Sequence, residues 1–393
     1  MVAALYVSMC ASAISDALPA SPGEEPPAPH IALLLPLQSD AFGPAAQAVQ
    51  QGFMAASNAQ PHPLPVRVYS TFDEKTDIIA LYQHALASGA KAVVGPLTRD
   101  GVATLAAHPD LITVPTLALN VADNVVPPDN LYFFGLSAED EARQIARIAM
   151  AAHLTVANVI STDSPLSLRL ARAFSDEWRH NGGTVATDTV YNNDPSIFAN
   201  VSTDPGNMVF LAADPGQARL IRPYIPIAIP VYATSQLFAG NNDMLLNYDL
   251  NEIHFIDMPW LLEPDHPAVM IYPRSYPPLS PDMERLYALG IDAFRLVQIV
   301  LHGSELADLP LDGVTGNIHL NGNHQFVREA IQAKFTQGRG LTPEGIAALA
   351  AEQRAAAKAA AQSSVPATAD DKAAPPAPAA PDTPGAPDTP AAP

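Results

Sequence analysis

Apolar runs alternate with segments of helical periodicity from residue 31 to residue 303. The first run, IALLLPL at 31–37, is followed by a polar loop, a Gly-Pro pair and a segment with helical spacing. Near-continuous apolar strands are typical of parallel sheets covered by helices on both faces. The predicted strands lie at 31–37, 66–70, 91–97, 113–120, 132–137, 157–162, 184–191, 207–213, 229–235 and 253–260. The predicted helices lie at 45–59, 75–89, 139–153, 166–182 and 280–303.

This alternation predicts an α/β fold made of two doubly wound parallel-sheet lobes around a cleft. The strand–helix series restarts after Ser137, and a Gly/Asn-rich hairpin pattern follows the helix at 280–303. We therefore expect the chain to cross between lobes several times. The first lobe is expected to hold residues 30–136 and about 256–303, and the second to hold 137–255 and about 304–335.

The two ends of the chain have a different composition. Residues 1–29 combine a short apolar run with a Pro-rich tether, which predicts a signal peptide or a lipoprotein N-terminus. Cleavage after Ala13 and lipidation of Cys10 both remain open, and Cys10 is the single cysteine, so no internal disulfide is expected. Residues 336–393 predict an Ala-rich helix followed by a Pro/Ala-rich tail of extended spacer character.

Charge narrows the range of partners. The chain has 393 residues, of which 40 are acidic and 20 are basic, so its net charge is −20. Such a surface repels phosphate groups, which argues against nucleic acid and anionic membranes as partners. We expect contact with a membrane only through a lipid anchor, if Cys10 is modified.

The residues show no catalytic constellation. The chain has no G-x-S-x-G elbow, no P-loop and no G-x-G-x-x-G, and its eleven histidines are scattered without the spacing of a zinc site. Acidic clusters stand at two predicted helix starts, Asp73-Glu74 and Glu139-Asp140-Glu141, where we expect them to offset the helix dipole. We predict no enzyme activity, no cofactor and no metal site.

Polar side chains at the ends of the predicted strands could line the cleft. In doubly wound sheets a ligand binds beyond the carboxyl ends of the strands, where helix N-termini can hold a carboxylate. Hydroxyls and amides there suit a small zwitterionic ligand, and Asp163 or Arg99 would have to supply the counter-charge; alternatively, each residue only caps a helix or closes a turn. The candidate residues are Gln38, Ser39, Phe42, Thr98, Asn120, Ser137, Ser161, Thr162, Asp163, Thr234, Ser235 and Gln236.

Four stretches together resemble the C-terminal domain of the LppC-type lipoproteins, the penicillin-binding-protein activators. They are GPLTRDGVATLA with VPTLALN (95–120), FFGLSAEDEARQIA (133–146), PVYATSQLFAG (230–240), and DMPWLL with ERLYALGIDAFRLVQ (257–298). The hairpin VTGNIHLNGN (314–323) falls where the family has one, and the resemblance covers about 31–335. Larger members carry a helical-repeat domain before this region, whereas about 30 residues precede it here.

The resemblance implies a type I periplasmic-binding-protein fold, tethered through a lipidated cysteine to the inner leaflet of the outer membrane. It also implies a periplasmic, non-enzymatic regulator that binds a bifunctional class A penicillin-binding protein and activates its peptidoglycan synthesis. The alternative, which the cleft hydroxyls motivate, is a periplasmic solute-binding protein that presents an amino acid or related small molecule to a transporter.

Overall fold

The computed structural model describes residues 27–122, 126–198, 201–303 and 309–363. The predicted leader with Cys10 and the Pro/Ala-rich tail from residue 364 onward lie outside the described residues. The strands are β1 (His30–Leu35), β2 (Val66–Ser70), β3 (Ala90–Val94), β4 (Thr116–Ala118), β5 (Leu131–Phe134), β6 (Val156–Ser161), β7 (Thr184–Val190), β8 (Asn207–Ala212), β9 (Val231–Ala233), β10 (Ile253–Asp257), β11 (Leu311–Asp312), β12 (Asn317–Leu320), β13 (Gln325–Glu329), β14 (Ile331–Thr336) and β15 (Arg339–Leu341).

Helices connect most of these strands. They are α1 (Gly43–Ala59), α2 (Glu74–Ala87), α3 (Arg99–Ala106), α4 (Ala138–Ala151), α5 (Pro165–His180), α6 (Pro215–Ile221), α7 (Met244–Asn247), α8 (Pro259–Leu262), α9 (Pro267–Met270), α10 (Pro281–His302) and α11 (Pro343–Ser363). Short 3₁₀ turns lie at Pro109–Leu111, Pro195–Phe198, Arg222–Tyr224, Ser235–Leu237 and Tyr248–Leu250. None of the helices in the described ranges combines the length and the hydropathy that a membrane span requires.

The strands form two sheets, and each sheet is the centre of one lobe. The first has the order β11-β12-β13-β5-β4-β3-β1-β2, and the second has the order β15-β14-β10-β9-β8-β6-β7. Strands β1 to β5 pair in parallel, as do β6 to β10, whereas β11–β12–β13 and β10–β14–β15 pair antiparallel. The predicted fold class, α/β with two mostly parallel sheets, is confirmed.

The apolar runs correctly located the ten parallel strands, but several strands are shorter than their runs. All six residues of β1 are buried, as expected of a strand covered on both faces. The run at 113–120 contains only the three paired residues of β4, because buried apolar positions continue beyond the hydrogen-bonded ladder. Helices α3 and α6 were missed, because eight and seven residues offer too few turns for a clear periodicity.

Helix α4 shows how the local sequence defines an element. The Ser137 hydroxyl accepts a hydrogen bond from the backbone N–H of Asp140 at 3.1 Å, so this serine is the N-cap that begins the helix. Helix α5 ends at His180 with Asn181 as its C-cap, and Gly182 follows with φ of +87°, a conformation that glycine adopts without a steric penalty.

The chain crosses between the lobes three times, after β5, after β10 and between β13 and β14. The assignment of 304–335 to the second lobe is wrong for β11 to β13, because β13 pairs in parallel with β5 of the first sheet. The predicted return of the chain to the first lobe at about 256 falls inside β10, which belongs to the second sheet. Strand β15 was expected in the tail segment, but it also pairs in the second sheet. A hairpin pattern in the sequence does not indicate which sheet its strands join. The hydrogen-bonded register places β11 to β13 in the first sheet.

Two glycines allow α1 and α10 of the first lobe to pack backbone against backbone. A Cβ at Gly52 would overlap the carbonyl oxygen of Tyr287, and a Cβ at Gly290 would overlap the carbonyl oxygen of Val49. Residues of both helices are buried in the core under β1 and β3, where the rings of Phe53 and Phe294 meet edge to face. The close approach therefore requires glycine on both helices.

A second unit begins at residue 347, and its described residues run to Ser363. They continue α11 in the Ala-rich sequence AALAAEQRAAAKAAAQS. Alanine has the highest helix propensity, which accounts for the helix without any apolar face.

Candidate functional site

A cavity of about 760 Å³ lies at the carboxyl ends of β1 to β4 in the first lobe. Four of the twelve predicted cleft residues line this first-lobe cavity: Ser39, Phe42, Thr98 and Asn120. Phe72, Glu74, Leu97, Arg99 and Leu286 are also part of its wall. The cavity lies where a doubly wound sheet places a ligand, since β1 is flanked by β2 and β3 at the point where the strand order reverses.

The three polar residues among these four also have local structural roles. The hydroxyl of Thr98 accepts a hydrogen bond from Gly101 N–H at 3.2 Å and caps α3. Asn120 donates from Nδ2 to the carbonyl oxygen of Leu97 at 3.0 Å, and Ser39 Oγ accepts from Phe42 N–H at 3.3 Å. Capping accounts for these polar groups without a ligand.

The remaining eight predicted residues do not line this cavity. Ser137 caps α4 and borders a separate pocket of only about 10 Å³. Of the others, Ser161, Thr162, Thr234 and Ser235 are buried, Gln236 is half-buried, and Gln38 and Asp163 are exposed. The cavity wall consists of first-lobe residues, so a ligand site to which both lobes contribute stays a prediction.

Glu74 occupies the backbone groups that could have held a ligand carboxylate. It is 2% exposed, and its carboxylate accepts hydrogen bonds from Leu97 N–H at 2.9 Å and Thr98 N–H at 2.6 Å. These N–H groups lead into α3, which is the position that anions favour. Asp73 caps α2, since its side chain accepts from Lys75 N–H, and Glu74 stands in the first turn of the same helix, as expected of dipole-compensating residues.

Glu141 plays the corresponding part in the second lobe. Its carboxylate accepts a hydrogen bond from Ser235 N–H at 3.1 Å, and it forms an ion pair with Arg328. Arg328 lies on β13 of the first sheet, so this pair joins the lobes, and both side chains are 7% exposed. Glu141 stands in the first turn of α4, where it was expected to offset the helix dipole, and its carboxylate also joins the two lobes.

Arg285 forms the most extensive contact between the lobes. This residue of α10 donates to both carboxylate oxygens of Asp257 at the end of β10, the closer at 2.6 Å. It also donates to the carbonyl oxygens of Ser235 at 3.0 Å and Phe238 at 2.8 Å. Burial raises the pKa of Asp257, and the guanidinium opposes this shift. Because both partners are buried, separating the lobes would leave Asp257 without its counter-charge, whereas Arg285 would keep Asp282 of its own helix at 2.7 Å.

A third pair lies beside the cavity. Glu139 of α4 lies 3.5 Å from Arg99 of α3 and 2.8 Å from Arg169 of α5. Arg99 was one of two residues considered as the counter-charge of a ligand, and it does line the cavity. Arg99 lies next to Glu139 of the second lobe, so the Arg99–Glu139 pair adds to the contact between the lobes.

Sequence reasoning missed Asp257, Arg285 and Arg328. Asp257 and Arg285 are charged residues in elements whose other positions are largely apolar, such as IHFID in β10, whereas Arg328 lies in the mixed strand QFVRE. A charge at a position that the periodicity assigns to the core was the available signal, because a buried charge requires a partner. Which charges pair depends on how the lobes dock.

The hydrogen bonds of Glu74 lead to an expected pH dependence. Burial raises the pKa of Glu74 above its ordinary value of 4.5, against the backbone hydrogen bonds from Leu97 and Thr98 that lower it. The folded state therefore binds a proton at the Glu74 carboxyl more tightly than the unfolded state does. The stabilisation that results from this difference is lost as pH rises from 4.5 through the folded-state pKa of Glu74. We expect Glu74→Gln to flatten that decline in urea unfolding series at pH 4 to 7. The exposed Glu329→Gln should keep the wild-type pH profile, and identical profiles for Glu74→Gln and wild type would contradict this account.

Two lobes of mostly parallel sheets, with three crossings between them and a cavity at the strand ends of one lobe, define the type I periplasmic-binding-protein class. Within this class the chain belongs to the LppC putative lipoprotein family, whose family model matches residues 24–204 and 199–338. The resemblance inferred from the sequence is therefore confirmed.

Individual relatives support both the family and the fold. The chain is 26% identical to the penicillin-binding protein activator LpoA of Yersinia pestis, over 78% of this chain and 60% of that protein. Among solved structures, it is 36% identical to a putative branched-chain amino acid ABC transporter from Chromobacterium violaceum, with a TM-score of 0.69 over 78% of this chain and 99% of that chain. It is 26% identical to the LpoA (YraM) C-domain from Haemophilus influenzae, a regulator of PBP1A, with a TM-score of 0.67 over 80% of this chain and 99% of that chain. The chain thus spans about 60% of a full-length activator and nearly all of an activator C-domain.

Proposed function

We propose that this protein is a non-enzymatic regulator that binds a bifunctional class A penicillin-binding protein and activates its peptidoglycan synthesis. The observation that carries the proposal is the match to 99% of the Haemophilus influenzae C-domain, which is described as a regulator of PBP1A. That domain has the same two-lobed fold at 26% identity. The activator relatives are named for what they do to another enzyme, which supports a role without catalysis.

The contacts between the lobes support a binding surface over a closing receptor. A solute receptor has to open and close around its ligand, and here Arg285–Asp257 and Glu141–Arg328 join the lobes beside the crossings after β10 and between β13 and β14. Backbone N–H groups at the starts of α3 and of the Ser235–Leu237 turn are already bonded to Glu74 and Glu141. A free amino acid would have to displace these carboxylates to be bound there.

The proposed location is the periplasm, with Cys10 as the lipid anchor in the inner leaflet of the outer membrane. Membership of a lipoprotein family supports an anchor. Labelling with a radioactive fatty acid is expected to mark the wild-type chain and not Cys10→Ala, and equal labelling would exclude Cys10 as the anchor.

The regulator proposal is tested by titrating the full chain into the host's class A penicillin-binding protein. We expect saturable binding together with a faster rate of peptide cross-linking. A heat-unfolded sample of the same chain is the control and should have no effect on the rate. Absence of binding at tens of micromolar, with an active synthase, would contradict the proposal.

A second candidate is a solute-binding protein for an amino acid or a related small zwitterionic molecule. The cavity of about 760 Å³ favours it, with exposed Phe42 and Phe72 beside Arg99, as does the 36% identity to a protein described as a branched-chain amino acid ABC transporter. A ligand at a hundredfold excess over its Kd would stabilise the protein by about 2.7 kcal/mol. A thermal-shift screen of amino acids and wall fragments would detect this, and we expect no shift.

A further inference from the structure

Exposed apolar side chains are concentrated on one part of the second lobe. Of the sixteen large hydrophobic side chains that are exposed in the described ranges, seven lie between Leu220 and Tyr248. The most exposed are Leu245 at 87% and Ile227 at 80%. Single exposed apolar residues are ordinary, but a cluster of them marks an interaction surface. We define the second-lobe patch as Leu220, Tyr224, Ile227, Met244–Leu246 and Tyr248.

The elements that carry most of the second-lobe patch contact one another, and Ile227 lies in the loop that follows the 222–224 turn. Helix α6, helix α7 and the 3₁₀ turns at 222–224 and 248–250 form one group. Arg219 donates from Nε to the carbonyl oxygen of Leu246 at 2.8 Å, which ties α6 to α7. The ring of Tyr224 stacks on that of Phe198, with centroids 6.1 Å apart.

A buried core supports the same elements from below. Ile221, Ile225 and Leu250 are all in the hydrophobic cluster beneath β8 to β10. Helix α6 and the turn at 248–250 thus bury apolar side chains and leave others in solvent, whereas α7 buries only Asn247. Folding alone does not require the exposed set, so the second-lobe patch is a surface available to a partner.

The charges around the second-lobe patch specify the kind of partner. Asp214, Asp243 and Asp249 belong to or cap the elements of the patch, and Asp194 precedes the turn that carries Phe198. Arg219 lies among them, and exposed Arg339 follows Gly338, which lies against Met244; Arg222 is only 8% exposed, so the four aspartates outnumber the two accessible arginines. The margin is therefore acidic, in a chain with a net charge of −20. A complementary partner would present large apolar side chains bordered by lysine or arginine.

We propose that the second-lobe patch is the surface that docks the class A penicillin-binding protein, on an apolar area of that enzyme with basic residues at its edge. The proposal rests on the proposed function. A second copy of this chain is a poorer occupant, because a two-fold contact through the patch would bring the aspartates of both copies together.

The test compares two double variants of the full chain, with binding to the synthase as the readout. Ile227→Asp with Leu245→Asp places charges in the second-lobe patch. Ile271→Asp with Tyr276→Asp is the matched control, since these residues are 63% and 95% exposed on the first lobe. We expect the Kd of the patch variant to rise at least about tenfold and that of the control to stay within about twofold. Circular dichroism and thermal unfolding must show that both variants fold.

A third variant tests the charge complementarity separately. Asp249→Lys should weaken binding at low salt and reduce the dependence of the Kd on salt concentration, because it removes an attraction that salt screens. Unchanged salt dependence would refute the basic edge assigned to the partner.

The possible results distinguish a failure of this docking proposal from a failure of the proposed regulator function. If wild type binds the synthase and the patch variant binds equally well, the second-lobe patch is not the docking surface, while the regulator function stands. If wild type does not bind at all, the proposed function fails, and this proposal fails with it. If wild type sediments as a dimer that the patch variant converts to monomers, the occupant is a second copy, and the proposal is overturned.

Discussion

Replacement of Arg285 by alanine is expected to lower the free energy of unfolding by about 3–5 kcal/mol, the usual loss when one partner of a buried ion pair is removed. The variant leaves the Asp257 carboxylate buried without its guanidinium and leaves the carbonyl oxygens of Ser235 and Phe238 without their donor. Urea unfolding at pH 7 measures this loss. Because burial raises the pKa of Asp257 and Arg285 opposes that shift, the loss should be smaller at low pH, where the carboxyl can be protonated.

Two further variants isolate the cause of that loss. Arg143→Ala removes a partner from an exposed ion pair with Asp140, and we expect a change of no more than about 1 kcal/mol. Arg285→Met with Asp257→Leu removes both buried charges and should regain much of the lost stability, since apolar replacements of a buried pair are often tolerated. A loss below about 1 kcal/mol for Arg285→Ala would mean that the interlobe network does not hold the lobes together.

Replacement of Gly290 by alanine is expected to destabilise the protein by about 3 kcal/mol or more, although alanine is the better helix former. Helix propensity alone would favour the variant by about 1 kcal/mol. The Cβ would overlap the backbone of α1 at Val49 and Phe53, and neither helix can yield without opening the first-lobe core. The sign of the change therefore distinguishes tight helix packing from local propensity.

The matching variant on the facing helix is Gly52→Ala, whose Cβ would overlap the carbonyl oxygen of Tyr287. It should lose a similar amount, and the loss of the double variant should be less than the sum, because both substitutions open the same contact. Gly322→Ala is the control, since nothing lies near its Cβ position. Unchanged or increased stability of Gly290→Ala would show that α1 and α10 do not pack this closely.

The two buried ion pairs between the lobes are consistent with the proposed function. A regulator that acts through its surface benefits from lobes held in one arrangement, because a rigid docking surface loses less conformational entropy on binding. Arg285–Asp257 and Glu141–Arg328 both contribute to that arrangement. The first-lobe cavity persists at the carboxyl ends of the strands, with Glu74 bonded to two of its backbone N–H groups.

Much of the fold could be predicted because its signals are local. The buried strands appear as continuous apolar runs, and Ser137 begins α4 through hydrogen bonds within its own turn. The candidate site was predicted less well. Thr98 and Asn120 do lie at the cavity, since the carboxyl ends of neighbouring parallel strands meet at one edge. Ser161 and Thr234 were inferred by the same rule, but they belong to the other sheet, and the rule does not state how two sheets face each other.

By itself the sequence determined the α/β class, the ten parallel strands, the main helices and the family, because each depends on residue spacing or on short stretches of sequence. Only the tertiary structure decided that β11 to β13 join the first sheet, that Glu74 and Glu141 are buried, and that Arg285 pairs with Asp257. The physical reason is distance along the chain. Glu141 and Arg328 are 187 residues apart, and no local preference encodes such a contact. It exists because the docked lobes exclude water, and a charge that loses its hydration is stable only beside its counter-charge.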